Sequence, residues 1–357
     1  MLTDWIDYFG DEATLTLAGA LIGVLFGAAA QRSRFCLRAA TAEVAEGTLG
    51  TSLAVWLLAF TAAVALVQCA VLTGWLETGE ARQIASAGSI SGALVGGLMF
   101  GAGMILARGC ASRLLVLSAT GNLRAMVTGL VLTLTAQASL RGVLAPLREA
   151  LAGLWLIPGG ESRDLTQALG LSATMAAGLA ALGLIGALWL AHRHRVAPNR
   201  LLAAGLVGLA VAAGWGATSV VAQTSFEVVP VSSITFTGPS ADTLMALVNE
   251  RAVLLNFGAG LVPGVFLGAL LMALITREAR IQRFEPDMPM ERYLIGGMLM
   301  GFGSMLAGGC AVGAGLSGGA IFALTAWLAL VSMWIGAVAT QVLMVARARP
   351  GEHRITA

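Results

Sequence analysis

The chain has 357 residues, of which 57% are hydrophobic and only 11% charged, with a formal net charge of +2. A water-soluble domain carries about 25% charged residues, so too few charges are present to cover a water-facing surface, and lipid must replace water around most of it. The near-neutral balance excludes a strongly basic face, and no nucleic-acid partner is expected.

Apolar stretches recur along the chain. Crossing the hydrocarbon core takes roughly 20 apolar residues, and spans are predicted at 13–30, 50–76, 89–107, 122–143, 166–191, 200–222, 251–275, 292–308 and 320–346. The runs are continuous and rich in Ala and Leu, which excludes the alternating pattern of a membrane strand. Gly19, Gly23 and Gly27 recur every fourth position in the first span, as expected of a close helix contact. Arg32-Ser33-Arg34-Phe35-Cys36 follows that span, Arg108-Gly109-Cys110 follows the third and Gly308-Gly309-Cys310 closes the eighth. Cys69 lies in the aliphatic second span and is read as a small packing residue. Asp4, Asp7, Asp11 and Glu12 stand near the start, where a cleaved secretory signal would be basic, and no such signal is expected. The four cysteines form no CxxC pair, so neither a zinc site nor a dithiol is expected, and no cofactor is called for.

Basic residues set the orientation. His192 to Arg195 with Arg200, then Arg277, Arg280, Arg283 and Arg292, then Arg347, Arg349 and Arg354 alternate with segments poor in Lys and Arg. Nine spans with the basic segments inside place the N-terminus outside and the C-terminus in the cytoplasm. Arg32, Arg34, Arg38, Arg108 and Arg113 fall on the same inner side, where the positive-inside rule accounts for them and attraction of an anion is the alternative.

An internal repeat stands out. Residues 96–111 and 296–311 share five glycines, Leu-Ala and Gly-Cys-Ala at an offset of 200, and Phe35-Cys36 is echoed by Phe236-Thr237 at 201. Cys110 and Cys310 follow helices five spans apart, an odd number, so the matching helices run in opposite senses. The expected architecture is an all-α polytopic membrane protein of about nine transmembrane helices plus about four short re-entrant helices. It forms a single membrane domain over residues 1–357, with a first repeat at 13–143, a connector containing span five at 144–199, and a second, inverted repeat at 200–346. Such repeats place a substrate site near the midplane.

The stretch after each repeated cysteine is too short to cross a bilayer, and glycines permit the turn that sends it back into the protein. Helix N-termini carry about half a positive charge and unpaired N–H donors, so several aimed at one centre hold an anion without a lysine. Thiols at those starts add a polarizable lining and weak donors that suit a sulfur atom and release it readily. Cys36, Cys110 and Cys310 are therefore the candidate substrate-binding residues. No predicted span carries a central Asp, Glu or His, so proton coupling is not expected.

At Arg-Ser-x-Phe-Cys near residue 36 and the paired Gly-Cys motifs at 110 and 310, the chain resembles the YeeE/YedE family of bacterial inner-membrane thiosulfate transporters. The resemblance implies an hourglass-shaped multi-pass protein of the inner membrane with a periplasmic N-terminus. In it Cys36, Cys110 and Cys310 pass thiosulfate along by thiol–anion hydrogen bonds, and Thr237 stands where the repeat offers a fourth thiol. Its implied partners are thiosulfate, the bilayer and a cytoplasmic sulfur-carrier protein. Two alternatives stay open: a membrane sulfurtransferase that forms a cysteine persulfide, and a transporter of another sulfur or selenium species. A metal-handling protein is disfavoured by the lack of clustered His, Cys or Met. The transporter, not an enzyme, is the leading expectation.

Overall fold

The computed structural model describes residues 8, 10–225, 228–249, 255–284 and 289–348. Asp4, Asp7, residues 251–254 of the seventh predicted span, and Arg349 and Arg354 lie outside them. With no water in the bilayer core, each apolar run satisfies its backbone by coiling on itself. The long helices are α1 (Asp11–Ser33), α3 (Thr51–Leu72), α4 (Ile90–Leu106), α6 (Leu123–Arg141), α8 (Ala173–Arg193), α9 (Pro198–Thr224), α11 (Phe257–Ile275), α12 (Met290–Leu306) and α13 (Leu324–Ala348). Shorter ones are α2 (Leu37–Ala45), α5 (Ala111–Ala119), α7 (Ala145–Gly153) and α10 (Thr237–Asn249), and Ala311–Gly318 is wound as a π-helix. Among the described residues, nine helical stretches are long and apolar enough to cross a bilayer.

Seven of the nine long helices follow the predicted spans closely; α11 starts at Phe257 rather than 251, and α8 at Ala173 rather than near 166. Gly170 turns left-handed at φ 63°, and the Ser172 hydroxyl caps the new helix by accepting from the Met175 N–H. A serine N-cap stops the helix from extending back into the preceding loop. α8 packs beside α3 and leaves Leu179, Leu182, Ile185 and Trp189 exposed, as a helix facing lipid on most of its circumference should.

The glycines explain how the remaining helices pack. Along α1 and α11, Gly19, Gly23 and Gly27 face the backbone of Phe257, Leu261 and Val265, while Gly260, Gly264 and Gly268 face that of Thr16, Ala20 and Val24. The spacing-four series is therefore a helix contact with no side chain between the two backbones. α4 and α12 meet in the same way: a methyl on Gly103 would lie 2.7 Å from the Gly296 carbonyl oxygen, and one on Gly296 the same distance from Gly103. Among the described residues, neighbour relations recur in pairs. α1 lies on α11 as α9 lies on α3, α4 on α13 as α12 on α6, and α2 on α13 as α10 on α6.

Four of the five non-glycine residues with positive φ are arginines, Arg34, Arg108, Arg195 and Arg277, each just past the end of a helix. That left-handed position is normally glycine's, and Gly308 takes it after α12 with φ 80°. An arginine there places its cation against the negative end of the helix dipole, which offsets the backbone cost of about 1 kcal/mol.

At the opposite ends, the segment 156–165 is fastened to residues 86–89 and to residues 322–325. Gly88–Ser89 pairs antiparallel with Leu156–Ile157, and the Leu165 N–H donates to the Phe322 carbonyl at 2.9 Å. Arg163, only 6% exposed, donates to the Ser86 carbonyl and the Thr325 hydroxyl. Burial, and then the neighbouring Arg82, hold its guanidinium below its ordinary pKa, so the position is kept for its hydrogen bonds. Arg163→Gln is expected to lose about 1.5–3 kcal/mol, the worth of hydrogen bonds to a charged group. Limited proteolysis should then cut the 154–162 segment faster than in wild type, and an unchanged rate would show that Arg163 does not hold the loop.

Candidate functional site

Of the four short elements α2, α5, α10 and the π-helix, three begin on a cysteine. The Ala40 N–H donates to the Cys36 carbonyl at 3.2 Å, Leu114 to Cys110 at 2.9 Å and Ala314 to Cys310 at 2.8 Å. Each cysteine is thus the N-cap, half in and half out of its helix. Ser, Thr, Asp and Asn normally fill that position because their oxygens bond first-turn N–H groups, whereas a thiol is a poor acceptor. Accordingly Cys36 and Cys110 make no side-chain cap bond, and Cys310 Sγ accepts only a long 3.4 Å contact from the Gly313 N–H. At the Cys36 and Cys110 starts no side chain caps the first-turn donors, while the dipole favours an anion there.

The fourth element departs from the predicted register. The Ser240 N–H donates to the Phe236 carbonyl at 2.8 Å, so Phe236, not Thr237, occupies the position of the cysteines. α2 and α10 start at an offset of 200, like the stronger repeat, and the match at 201 was one residue out. Thr237 is the first residue inside α10, its Oγ1 buried without a hydrogen-bond partner. The Phe26 ring links the two starts, with centroids 5.2 Å from Phe236 and 6.5 Å from Phe35.

Cys36, Cys110 and Cys310 are all buried. The buried Cys36 and Cys110 thiols are near neighbours, and Cys110 Sγ lies 3.4 Å from Ser112 Oγ. Cys310 stands outside that pair, at the head of the π-helix, which packs against α5. Arg113 and Arg38 act electrostatically on Cys36, and each keeps a buried guanidinium nitrogen without a partner, Nη1 of Arg113 and Nε of Arg38. These two arginines lie within Coulombic range of the Cys36 thiol, a placement that counting charges on the inner side did not single out. Cys69 corrects the packing expectation: it sits in the last turn of α3 and is exposed on the outer surface rather than packed in the core.

The π-helix is the least regular part of the centre. Its sequence holds Gly313, Gly315 and Gly318, and the Thr235 side chain presses on Gly313 where any Cβ would collide. Three elements hold it in place. The Ser317 hydroxyl donates to the Ile234 carbonyl at 2.7 Å, the Trp215 indole N–H to the Ser317 carbonyl at 3.2 Å, and the Gln68 amide to the Ala320 carbonyl at 2.7 Å. Such π-turns occur mostly at functional sites.

A sequence profile described as sulphur transport matches residues 32–339. The chain belongs to this sulphur-transport family. The thiosulfate transporter TsuA of Escherichia coli (strain K12) is 27% identical over 346 residues, covering 90% of this chain and 93% of that protein. The thiosulfate transporter TsuA of Spirochaeta thermophila is also 27% identical, over 331 residues, covering 89% and 96%. The matched range runs from Arg32, at the end of α1, into α13 and takes in all three N-cap cysteines. The protein is a multi-pass membrane transporter of the sulphur-transport family.

Proposed function

We propose that the protein imports thiosulfate, or a closely related small sulfur anion, across the bacterial inner membrane through the centre at which Cys36, Cys110 and Cys310 cap the short helices. The observation that carries this reading is the Cys36–Cys110 pair. Two neighbouring buried thiols stand at N-cap positions where helices ordinarily place capping oxygens, with Arg113 and Arg38 in Coulombic range of Cys36. An anion reaching the pair meets uncapped helix dipoles for its charge and soft thiols for its sulfur. The names of the two relatives point to the same anion.

Two inverted halves, 13–143 and 200–346 joined by a connector at 144–199, account for the paired neighbour relations described above. Positive-inside placement puts the N-terminus in the periplasm and the C-terminus in the cytoplasm, where a sulfur-carrier protein can meet the emerging anion on the basic segments. Reporter fusions at residues 195 and 280 are expected to read cytoplasmic and one near 82 periplasmic. Matching readings from 82 and 195 would refute the orientation.

The deciding measurement is uptake of labelled thiosulfate by proteoliposomes containing the purified protein, with sulfate and selenite as competitors. Uptake that thiosulfate competes for and sulfate does not supports the proposal. Empty-liposome rates, or equal competition by sulfate, would overturn it.

A further inference from the structure

The fourth short helix carries a buried hydroxyl that the fold itself leaves unused. Thr237, the first residue of α10, is 1% exposed, and its Oγ1 has no hydrogen-bond partner. Other buried hydroxyls donate to a carbonyl one helical turn back: Ser33 to Ala29 at 2.7 Å, Thr128 to Arg124 at 2.8 Å and Ser139 to Thr135 at 2.7 Å. A residue that opens a helix has no such carbonyl behind it. Among the described residues one other buried hydroxyl, that of Thr14, lacks a partner, and it lies on α1 roughly 28 Å before the Ser33 end. At the repeat's offset of 200, the counterpart of Thr237 is Leu37, which is fully buried. An apolar side chain fills this place in one half, whereas the hydroxyl in the other gives up its bonds to water and gains none from the protein.

The course of the chain brings Thr237 toward the head of the π-helix. Ser317, near the far end of that helix, donates to the Ile234 carbonyl at 2.7 Å, and the Thr235 side chain lies against Gly313 in its first turn. The step from Ile234 to Thr235 therefore runs toward Cys310, and Thr237 follows two residues later. α10 spans 13 residues, and its N-cap is Phe236, whose ring cannot bond the first-turn N–H groups. This start thus joins a helix dipole that favours an anion to a buried hydroxyl free to donate. A hydroxyl is a stronger donor than a thiol and suits an oxygen, whereas the Cys310 thiol suits a sulfur. Thiosulfate has both ends. We propose that Thr237 is a further substrate-contacting residue, whose hydroxyl donates to an oxygen of the anion while the terminal sulfur meets the Cys310 thiol. With thiosulfate as the substrate, the reading on which this assignment rests, the two side chains hold the anion in one orientation.

The test compares uptake of labelled thiosulfate by proteoliposomes of the full-length wild type, Thr237→Val, Thr237→Ser and Thr14→Val. Valine keeps the outline of threonine and removes the hydroxyl. Thr237→Val is expected to melt at or above the wild-type temperature, since a buried unpaired group is gone. Its half-saturating thiosulfate concentration should nonetheless rise about tenfold or more, the worth of one hydrogen bond to a charged group. A purely structural threonine would move the melting temperature and leave half-saturation alone. Thr237→Ser keeps the hydroxyl and should half-saturate near the wild-type concentration. Thr14→Val, which loses the other unpaired hydroxyl far from the thiols, should match wild type in uptake. The effect can also be read without transport: thiosulfate should raise the melting temperature of wild type, and Thr237→Val should need about tenfold more anion for the same rise. Should the valine variant not accumulate, Thr237→Ala replaces it with the same expected losses. Wild-type half-saturation in Thr237→Val, or an equal rise in Thr237→Ser or Thr14→Val, would overturn the role of the hydroxyl. A wild type that takes up no thiosulfate would overturn the transport reading itself, and it is told apart because it fails before any variant is compared.

Discussion

Uptake of labelled thiosulfate is expected to fall to background when Cys110 is replaced by alanine, and to fall almost as far when it is replaced by serine. Alanine removes the buried sulfur that neighbours Cys36 and lies against Ser112, at a stability cost of about 1 kcal/mol for so small a truncation. Folded protein should therefore accumulate while transport stops. Serine is the sharper test because it separates hydrogen bonding from softness. Cys110 is an N-cap that makes no side-chain cap bond. Serine is a preferred N-cap whose oxygen bonds the N–H two or three residues on, worth about 1 kcal/mol. The Cys110→Ser hydroxyl would turn onto its own helix and take up the donors that otherwise meet the anion. It would also bond the Ser112 hydroxyl more strongly than a thiol does. The expected signature is a melting temperature equal to or above wild type together with lost uptake. Cys69→Ala, at an exposed position, should leave both unchanged. Near-normal uptake by the Cys110→Ser protein would refute the requirement for a thiol yet leave the helix-dipole site standing.

Most of this architecture is legible before any coordinates, for a physical reason. A lipid-embedded backbone has one local solution, so the length and apolarity of a run determine its helix. α4 and α12 occupy 90–106 and 290–306, within two residues of the predicted spans. Boundaries were missed where one side chain decides them, as at Ser172, whose capping hydroxyl starts α8 later than hydropathy suggests. The three N-cap cysteines could be singled out because two of them recur inside a repeat; the fourth start was misplaced by one residue because its match rested on a single phenylalanine. Applying the offset of the stronger repeat to Cys36 would have named Phe236. What no linear reading could supply is which inner-side arginines turn inward. Arg38 and Arg113 bury a nitrogen beside the thiols, whereas Arg34 pairs with Glu278 at 3.2 Å with most of its side chain exposed. All three lie close to a cysteine in sequence, and only the packing of α2 and α5 separates them.

Gly260→Leu is expected to abolish recovery of folded protein, or to lower its stability by more than about 3 kcal/mol, above the usual range for overpacking. The glycine lies in α11 where that helix crosses α1, and any Cβ added there would overlap the Thr16 carbonyl oxygen. A side chain in the way could rotate, but a helical carbonyl cannot, so the two helices must separate. Separation is felt along the whole contact. Gly264 and Gly268 continue the seam from α11, and Gly19, Gly23 and Gly27 answer from α1, each against backbone of the other helix. Helices in lipid have little hydrophobic drive to stay together, so this close packing supplies most of their attraction. The damage reaches the functional centre because α1 ends at Ser33, three residues before Cys36, and the Phe26 ring on α1 supports both Phe35 and Phe236. Gly186→Ala in α8 is the matched control. A methyl there meets nothing within 4 Å, and alanine is the better helix former by about 1 kcal/mol, so its stability should match or exceed wild type. Size-exclusion profiles and melting curves of the two variants read the contrast directly, and a Gly260→Leu protein that elutes and melts like wild type would show that α1 and α11 do not meet backbone to backbone.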